Sequence, residues 1–495
     1  MSATPDQQRA PILEALEAFR RRGDVVYGPP GHKQGRAVDE DTLAVLGRDL
    51  FADDVLTLNG LDDRRESAGV LAQAEALMAA AVHAEKAFFS TCGSSLSVKT
   101  AMISIAGPGE TLLIARNAHK SIVGGLVVSG LRPVWIPARL DEQWALTHPP
   151  GPAEVRAALA ANPDAKGVLL ITPTDWGSCA DLRGVAEICH RHGVPLIVDE
   201  AWGAHFPFSQ ELPVWGMDAG ADLVVTSVHK MGAAVEQSSV FHLPGDLVDP
   251  EVLKQREDLL GTTSSSSLVY ASLDGWRRSM VRDGHRIWQA ALARATRIRE
   301  QIADLPGLKL MVREVIDPDS GPYDLDLTRL TIDVRPLRIT GYTAAEWLRD
   351  ACRVDVGSAD YCRIGAQISA GDDDGTERTL LDGLRRLVDV APGLPRAPQV
   401  PLPGPRAFES ELAMLPRDAF FAAAEHVPAA AAVGRIAAEM LSPYPPGVPM
   451  LLPGEVIDAQ SVDYLTAGVR AGMHVPDAAD PELKSFRVVA ARAEP

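Results

Sequence analysis

Between about residues 69 and 242 the chain alternates two patterns of apolar spacing. Stretches at 69–84, 94–106, 153–161 and 181–192 repeat their apolar residues every three to four positions, which predicts helices. Short, nearly continuous apolar runs at 87–90, 111–115, 133–137, 167–172, 195–201, 222–227 and 238–242 predict buried strands. Alternation of this kind implies an α/β large domain, 69–290, built on a mainly parallel seven-stranded sheet with helices on both faces.

A helix over 288–305 leads into a small α/β domain at 291–392, with strands expected at 328–334 and 361–369 and helices at 344–352 and 377–388. Closely spaced prolines (Pro395, Pro398, Pro401, Pro403, Pro405) make 393–405 an extended linker. A C-terminal α+β domain, 406–495, follows and is too small to be catalytically independent. Residues 1–68 are an N-terminal arm. Its stripe of Ile12, Leu13, Leu16 and Phe19 alternates with Glu14, Glu17 and Arg20 at helical spacing, unlike the core of a secretion signal.

Composition excludes some classes. With 46% hydrophobic and 23% charged residues the chain can bury a large interior. A net charge of -18 opposes nucleic acid as a partner, since phosphate binding needs a basic surface, and it suits a cationic substrate. No apolar run is long enough to span a bilayer, which argues against a membrane protein. Five scattered cysteines do not form a disulfide framework and fit the reducing cytoplasm.

In a parallel sheet, ligands bind beyond the carboxyl ends of strands. Three candidates lie there. Lys230 follows the run 222–227 and precedes the small-residue turn Gly232-Ala233-Ala234, where a planar cofactor can approach the backbone. A lysine after a strand is ordinarily surface decoration, but Asp199 ends another strand about 30 residues earlier. The pair meets two requirements of pyridoxal 5′-phosphate (PLP): an amine for an imine, and a carboxylate that keeps the pyridine nitrogen protonated. Read without Lys230, Asp199 is equally well a helix cap or a magnesium ligand. Cys92-Gly93-Ser94-Ser95 stands directly before a helix and offers N–H groups and hydroxyls to a phosphate, although a simple capped helix reads the same way.

His119 follows the strand 111–115, where a histidine can stack on a cofactor ring, but a lone histidine there is ordinarily only hydrogen-bonded and its position alone does not select it. Gly28-Pro-Pro-Gly-His-Lys33 is discarded as a nucleotide loop, because its prolines remove N–H donors and no Ser or Thr follows the lysine. Cys189-His190-Arg191-His192 has no second ligand pair at zinc spacing, so no metal site is expected.

These segments resemble the Orn/Lys/Arg decarboxylase family, PLP enzymes of fold type I. The resemblance runs nearly the whole length. It rests on Pro-Gly-His-Lys at 30–33, Gly-Leu-Asp-Asp at 60–63, Ala-Arg-Asn-Ala-His-Lys-Ser at 115–121 and Asp-Glu-Ala-Trp-Gly-Ala-His at 199–205. Ser-Val-His-Lys at 227–230, Thr-Ser-Ser-Ser-Ser at 263–267 and Ala-Ser-Leu-Asp at 271–274 follow. The most discriminating group is C-terminal: Tyr-Pro-Pro-Gly-Val-Pro at 444–449 and Pro-Gly-Glu at 453–455.

The resemblance implies decarboxylation of arginine, lysine or ornithine to an amine for polyamine biosynthesis. It implies Lys230 as the Schiff-base lysine, Asp199 as partner of the pyridinium, His119 and Trp202 against the cofactor, and Ser94, Ser95, Ser227 and His229 around the phosphate. His229 and Lys230 are the candidate proton donors at Cα. Thr263 and Ser264 are expected to reach the phosphate of a neighbouring subunit in a homodimer, and Glu455 to face the substrate side chain.

Four departures bear on the substrate: Ser90-Thr91-Cys92 for an Asn-Gly-Thr turn, Val228 for Thr, Ser265 and Ser267 for Pro and Tyr, and Thr174-Asp175-Trp176-Gly177 for Thr-Tyr-Tyr-Gly. The family's N-terminal wing domain has no counterpart in this chain, which suggests a dimer rather than a large ring. Two rival readings stay open, another fold type I enzyme (aminotransferase or lyase) and a non-catalytic regulatory relative.

Overall fold

The computed structural model describes residues 6–56, 69–317, 321–400, 410–443 and 447–491. The Gly-Leu-Asp-Asp motif at 60–63, linker positions 401–405 and Tyr444, Pro445 and Pro446 lie outside the described residues.

The main sheet has seven strands: β1 (Lys86–Ser90), β2 (Thr111–Ala115), β3 (Arg132–Ile136), β4 (Val168–Ile171), β5 (Leu196–Asp199), β6 (Leu223–Ser227) and β7 (Ser239–Leu243). Their order is β1-β7-β6-β5-β4-β2-β3. β2 runs parallel to β3 and β4, and β5 parallel to β6, while β7 is antiparallel to both β6 and β1. Every residue of β4, β5 and β6 is buried, which is why these strands read as continuous apolar runs rather than as alternating ones.

The chain forms two compact units, each discontinuous in sequence. Unit 1 is Met1–Ser104 with Ile197–Trp288, and unit 2 is Ile105–Leu196 with Gln289–Pro495. Within unit 1 the arm helix Pro11–Arg22 buries Ile12, Leu16 and Phe19 and stops at Gly23, whose φ of 66° suits glycine.

The helix expected over 288–305 is the tail of a longer one, Ser267–Ala303, of 37 residues. Its first half escaped the apolar pattern for a physical reason. Asp274 and Arg277, one turn apart, form a fully buried ion pair of 2.8 Å, and Arg277 donates to the main chain of Gln7 and Arg9. Charged residues on the buried face break the stripe that periodicity looks for.

Unit 2 carries a second, antiparallel sheet in the order Lys309–Leu310, Arg329–Asp333, Arg363–Gln367, Ser358–Ala359. The helices Gly341–Cys352 and Asp374–Val390 accompany it, the first capped by the Thr340 side chain and the second by Asp373. Further on, Ala424–Pro428 pairs antiparallel with Ser485–Val489, and the helix Ala459–Arg470 packs into a core that includes Leu441, Leu451, Ile457, Leu465, Phe486 and Val488. This C-terminal portion is α+β.

Candidate active site

Parallel pairing of β5 with β6 sets Asp199 opposite Val225, two residues before Ser227. Asp199 closes β5 almost fully buried, and its Oδ1 accepts from the Ala201 N–H at 3.2 Å. Lys230 sits in the short turn of helix Val228–Met231 just beyond β6, half-buried, with its Nζ 4.6 Å from the centroid of the Trp202 ring. Gly232 follows because a Cβ there would meet the Val228 carbonyl at 2.6 Å and the Trp276 ring at 2.8 Å.

The Ser227 hydroxyl donates to the Ser94 hydroxyl at 2.5 Å, joining the end of β6 to the start of the helix Ser94–Ile105. Gly93, at φ 77°, turns the chain into that helix. The first intrahelical bond comes from the Leu96 N–H to the Gly93 carbonyl, so the N–H groups of Ser94 and Ser95 lie in the positive first turn. Ser95 itself is exposed.

Nδ1 of His229 lies 3.2 Å from the Ser238 carbonyl, an acceptor, so Nδ1 carries the proton when the ring is neutral. Burial pushes the His229 pKa down, and Lys230 adds to the shift. Thr263 and Ser264 are exposed on the surface of the chain, the Ser264 N–H donating to Thr262 Oγ1.

A residue to which sequence reasoning assigned no role is Glu200. It is fully buried, its Oε2 accepts from the Gly216 N–H at 3.1 Å, and desolvation holds its carboxyl well above the usual range. Burial thus favours the neutral form of the carboxyl next to Asp199 in the chain. The sequence shows an Asp-Glu pair but not that both members are buried.

In unit 2, His119 caps the helix Lys120–Ser129, its Nδ1 accepting from the Ser121 N–H at 3.2 Å. It lines a cavity of about 150 Å³. Asn117, two residues earlier and also on the cavity wall, is 5% exposed, and neither atom of its amide has a hydrogen-bond partner.

Glu455 is fully buried and belongs to a different arrangement. Its Oε2 accepts from the Leu452 N–H at 3.0 Å, and its Oε1 lies 3.5 Å from Arg116 Nη2. Arg116 Nη1 donates to the Pro449 carbonyl at 2.9 Å. Burial pushes the Glu455 carboxyl up to about 7 despite the guanidinium.

The donor set of unit 1 fits PLP. Helix N–H groups and two hydroxyls suit a phosphate dianion, a strand-end carboxylate suits a protonated pyridine, and an amine just beyond the adjoining strand suits an aldehyde. A doubly wound sheet with these groups at its strand ends defines a PLP-dependent enzyme of fold type I.

Comparison with known proteins narrows the class. Residues 10–332 match the family described as Orn/Lys/Arg decarboxylase, major domain, and residues 406–480 match its C-terminal domain. The chain is 36% identical over 491 residues to an arginine decarboxylase of Halalkalibacterium halodurans, with 98% of each chain covered. It is 34% identical, with the same coverage, to an arginine decarboxylase of Bacillus subtilis. Among solved structures, a lysine decarboxylase of Francisella novicida superimposes with a TM-score of 0.81 at 19% identity, over 97% of this chain and 81% of that one, which speaks for the fold. The chain belongs to the Orn/Lys/Arg decarboxylase family and is a PLP-dependent amino-acid carboxy-lyase. Among the described residues no helix is long and apolar enough to cross a membrane.

Proposed function

We propose that the chain decarboxylates L-arginine to agmatine, supplying an amine for polyamine synthesis. Support for arginine over lysine or ornithine comes from relatives named arginine decarboxylase that match end to end at 36% and 34% identity. The observation that carries the chemistry is the joint of β5 and β6, where Asp199, Ser227 and Lys230 stand on adjoining strand ends with Ser94 hydrogen-bonded to Ser227.

Lys230 is the residue that bonds the cofactor, and Trp202 packs against its amine. Asp199 would hold the pyridine nitrogen's proton, Ser94, Ser95, Ser227 and His229 would hold the phosphate, and His119 would stack on the ring. PLP, when bound, draws off the electron pair left as carbon dioxide departs. One proton is taken up at Cα for each carbon dioxide released. Lys230 or His229 would deliver it.

Thr263 and Ser264, exposed on one chain, reach the site of a second copy, so the active form is a homodimer. Glu455 is the residue proposed to face the substrate side chain. Catalysis falls to 69–290 with 291–392, and the C-terminal decarboxylase domain, 406–495, follows the linker 393–405 within the same compact unit as 105–196. Five free cysteines suit the cytoplasm.

The test is to incubate PLP-loaded protein separately with L-arginine, L-lysine and L-ornithine, following carbon dioxide and the amine by mass spectrometry. Arginine is expected to react fastest, and Lys230→Ala is expected to abolish both turnover and the visible cofactor band. A band that Lys230→Ala removes, without carbon dioxide from any of the three, would move the assignment to an aminotransferase, a lyase or another amino acid.

A further inference from the structure

The stretch 199–203, where β5 ends, carries two groups of the proposed site, the Asp199 carboxylate and the Trp202 ring. Main-chain bonds pin it to β6: the Glu200 N–H donates to the Val225 carbonyl at 2.9 Å and the Ser227 N–H to the Ala201 carbonyl at 3.4 Å. The Gly203 N–H closes the turn on the Glu200 carbonyl at 2.8 Å. Between the two groups stands Glu200, whose side chain leaves the turn for the helix Gly216–Ala219 and accepts there from the Gly216 N–H at 3.1 Å. One residue thus ties the stretch to a strand, to its own turn and to a helix further along the chain.

Two glycines make room for this side chain. A Cβ on Gly203 would meet Glu200 Cγ at 2.5 Å, and one on Gly216 would meet Glu200 Oε2 at 2.7 Å. Neither glycine has a positive φ, so space rather than backbone conformation calls for the missing side chain. Among the described residues Oε1 of Glu200 has no hydrogen-bond partner. A buried charge with a single donor is costly, and desolvation pushes this carboxyl well above its ordinary range, with Asp218 adding to the shift. The surroundings therefore suit an uncharged acceptor of fixed length. A Met or Leu would fill the same space with less desolvation but would leave the Gly216 N–H without this acceptor.

We propose that Glu200 is a positioning residue for the decarboxylation: its tie to Gly216 fixes the stretch 199–203 and, through it, the places of the Asp199 carboxylate and the Trp202 ring. The assignment rests on the proposed roles of those two residues, and every residue in it belongs to unit 1.

The test compares the PLP-loaded full chain as wild type, Glu200→Gln, Glu200→Met and Asp199→Asn, reading first the pH midpoint of the visible cofactor band. A protonated pyridine repels a second proton held nearby, so weakening the Asp199 contact should raise that midpoint. Glu200→Met, which keeps length but offers no acceptor, should raise it by about one pH unit, and Asp199→Asn at least as far. Glu200→Gln, an uncharged acceptor of the same shape, should move it only a fraction of that. With whichever of L-arginine, L-lysine and L-ornithine turns over fastest, Glu200→Met should lower kcat about tenfold and leave KM within about twofold, the pattern of misplaced groups rather than lost binding. A lower thermal midpoint in Glu200→Met with band and kcat unchanged would mean that the residue only stabilises the fold, and would overturn the inference. So would a Glu200→Gln protein as impaired as Glu200→Met. If Glu200→Met does not fold, Gly216→Ala takes its place, since the added Cβ crowds Oε2 from the helix side while residues 199–203 stay as they are; an unmoved band there also overturns the inference. If Asp199→Asn itself leaves the band in place, the proposed role of Asp199 falls and takes the inference with it. If Asp199→Asn moves the band and Glu200→Met does not, the inference falls alone.

Discussion

Removing the Arg116 guanidinium should expose how much the Glu455 carboxylate depends on it. Both side chains are buried, 339 residues apart in sequence, and Arg116 also donates to the Pro449 carbonyl. Arg116→Met preserves length but leaves Glu455 without its cation, a change that costs about 3–5 kcal/mol when the orphaned group stays charged. Protonation relieves that cost, and the pH dependence carries the test. The folded pKa of Glu455, about 7, lies above the 4.5 of a free glutamate, so the group's contribution is fully present below 4.5 and is lost as pH rises through 7. Without Arg116 that pKa rises further. The destabilisation should therefore be large at pH 8 and smaller at pH 6, the difference approaching about 1.4 kcal/mol per pH unit. Adding Glu455→Gln to Arg116→Met should restore most of the loss at pH 8, because Gln keeps an acceptor for the Leu452 N–H and carries no charge. Thermal midpoints of the four proteins at the two pH values measure this. Equal losses at pH 6 and pH 8, or a double variant no more stable than Arg116→Met, would refute the reasoning.

Three further outcomes are expected. Ser227→Ala should raise the dissociation constant for PLP about ten- to hundredfold, the worth of a hydrogen bond to a charged group, by absorbance titration of apoprotein; an unchanged constant would remove Ser227 from the phosphate site. His242, buried with its Nε2 3.1 Å from Thr226 Oγ1, has its pKa pushed down to about 3 by desolvation. The unfolded chain binds that proton below about 6.5, so stability should fall by about 3 kcal/mol between pH 6.5 and 4, and His242→Gln should flatten this limb of the midpoint-versus-pH curve. Co-expressing Lys230→Ala with Thr263→Ala chains should yield mixed dimers holding one site with neither substitution; activity no higher than in either parent would count against sharing of the site between subunits.

The parts of the fold that sequence made legible are those where chemistry follows a strand end. β4, β5 and β6 are buried on both faces and announce themselves as apolar runs, so Asp199 and Lys230 could be placed after them without coordinates. The serines that open the helix Ser94–Ile105 were readable for a similar reason, since Gly93 and two hydroxyls mark a helix start. Long-range complementarity was not legible. Nothing local to Arg116 indicates a partner 339 residues on, and the cavity wall draws Asn117, Asp175, Tyr342 and Tyr464 from separate stretches. Asp274 and Arg277 disguised the first half of the helix Ser267–Ala303 because they look like surface residues until their mutual pairing is seen.

The discontinuity of both units bears on how the chain is made. Synthesis delivers residues 1–104 first, but their partners, 197–288, emerge only after the whole first segment of unit 2 has left the ribosome. β1 in particular must wait for β7, some 150 residues downstream, before it gains a hydrogen-bonded neighbour. A nascent chain stalled near residue 190 would thus hold an incomplete unit 1 with unsatisfied strand edges, the kind of species that chaperones retain. No single continuous fragment can contain unit 1 and nothing else, so dissecting this enzyme by truncation will sever a unit wherever the cut falls before residue 288.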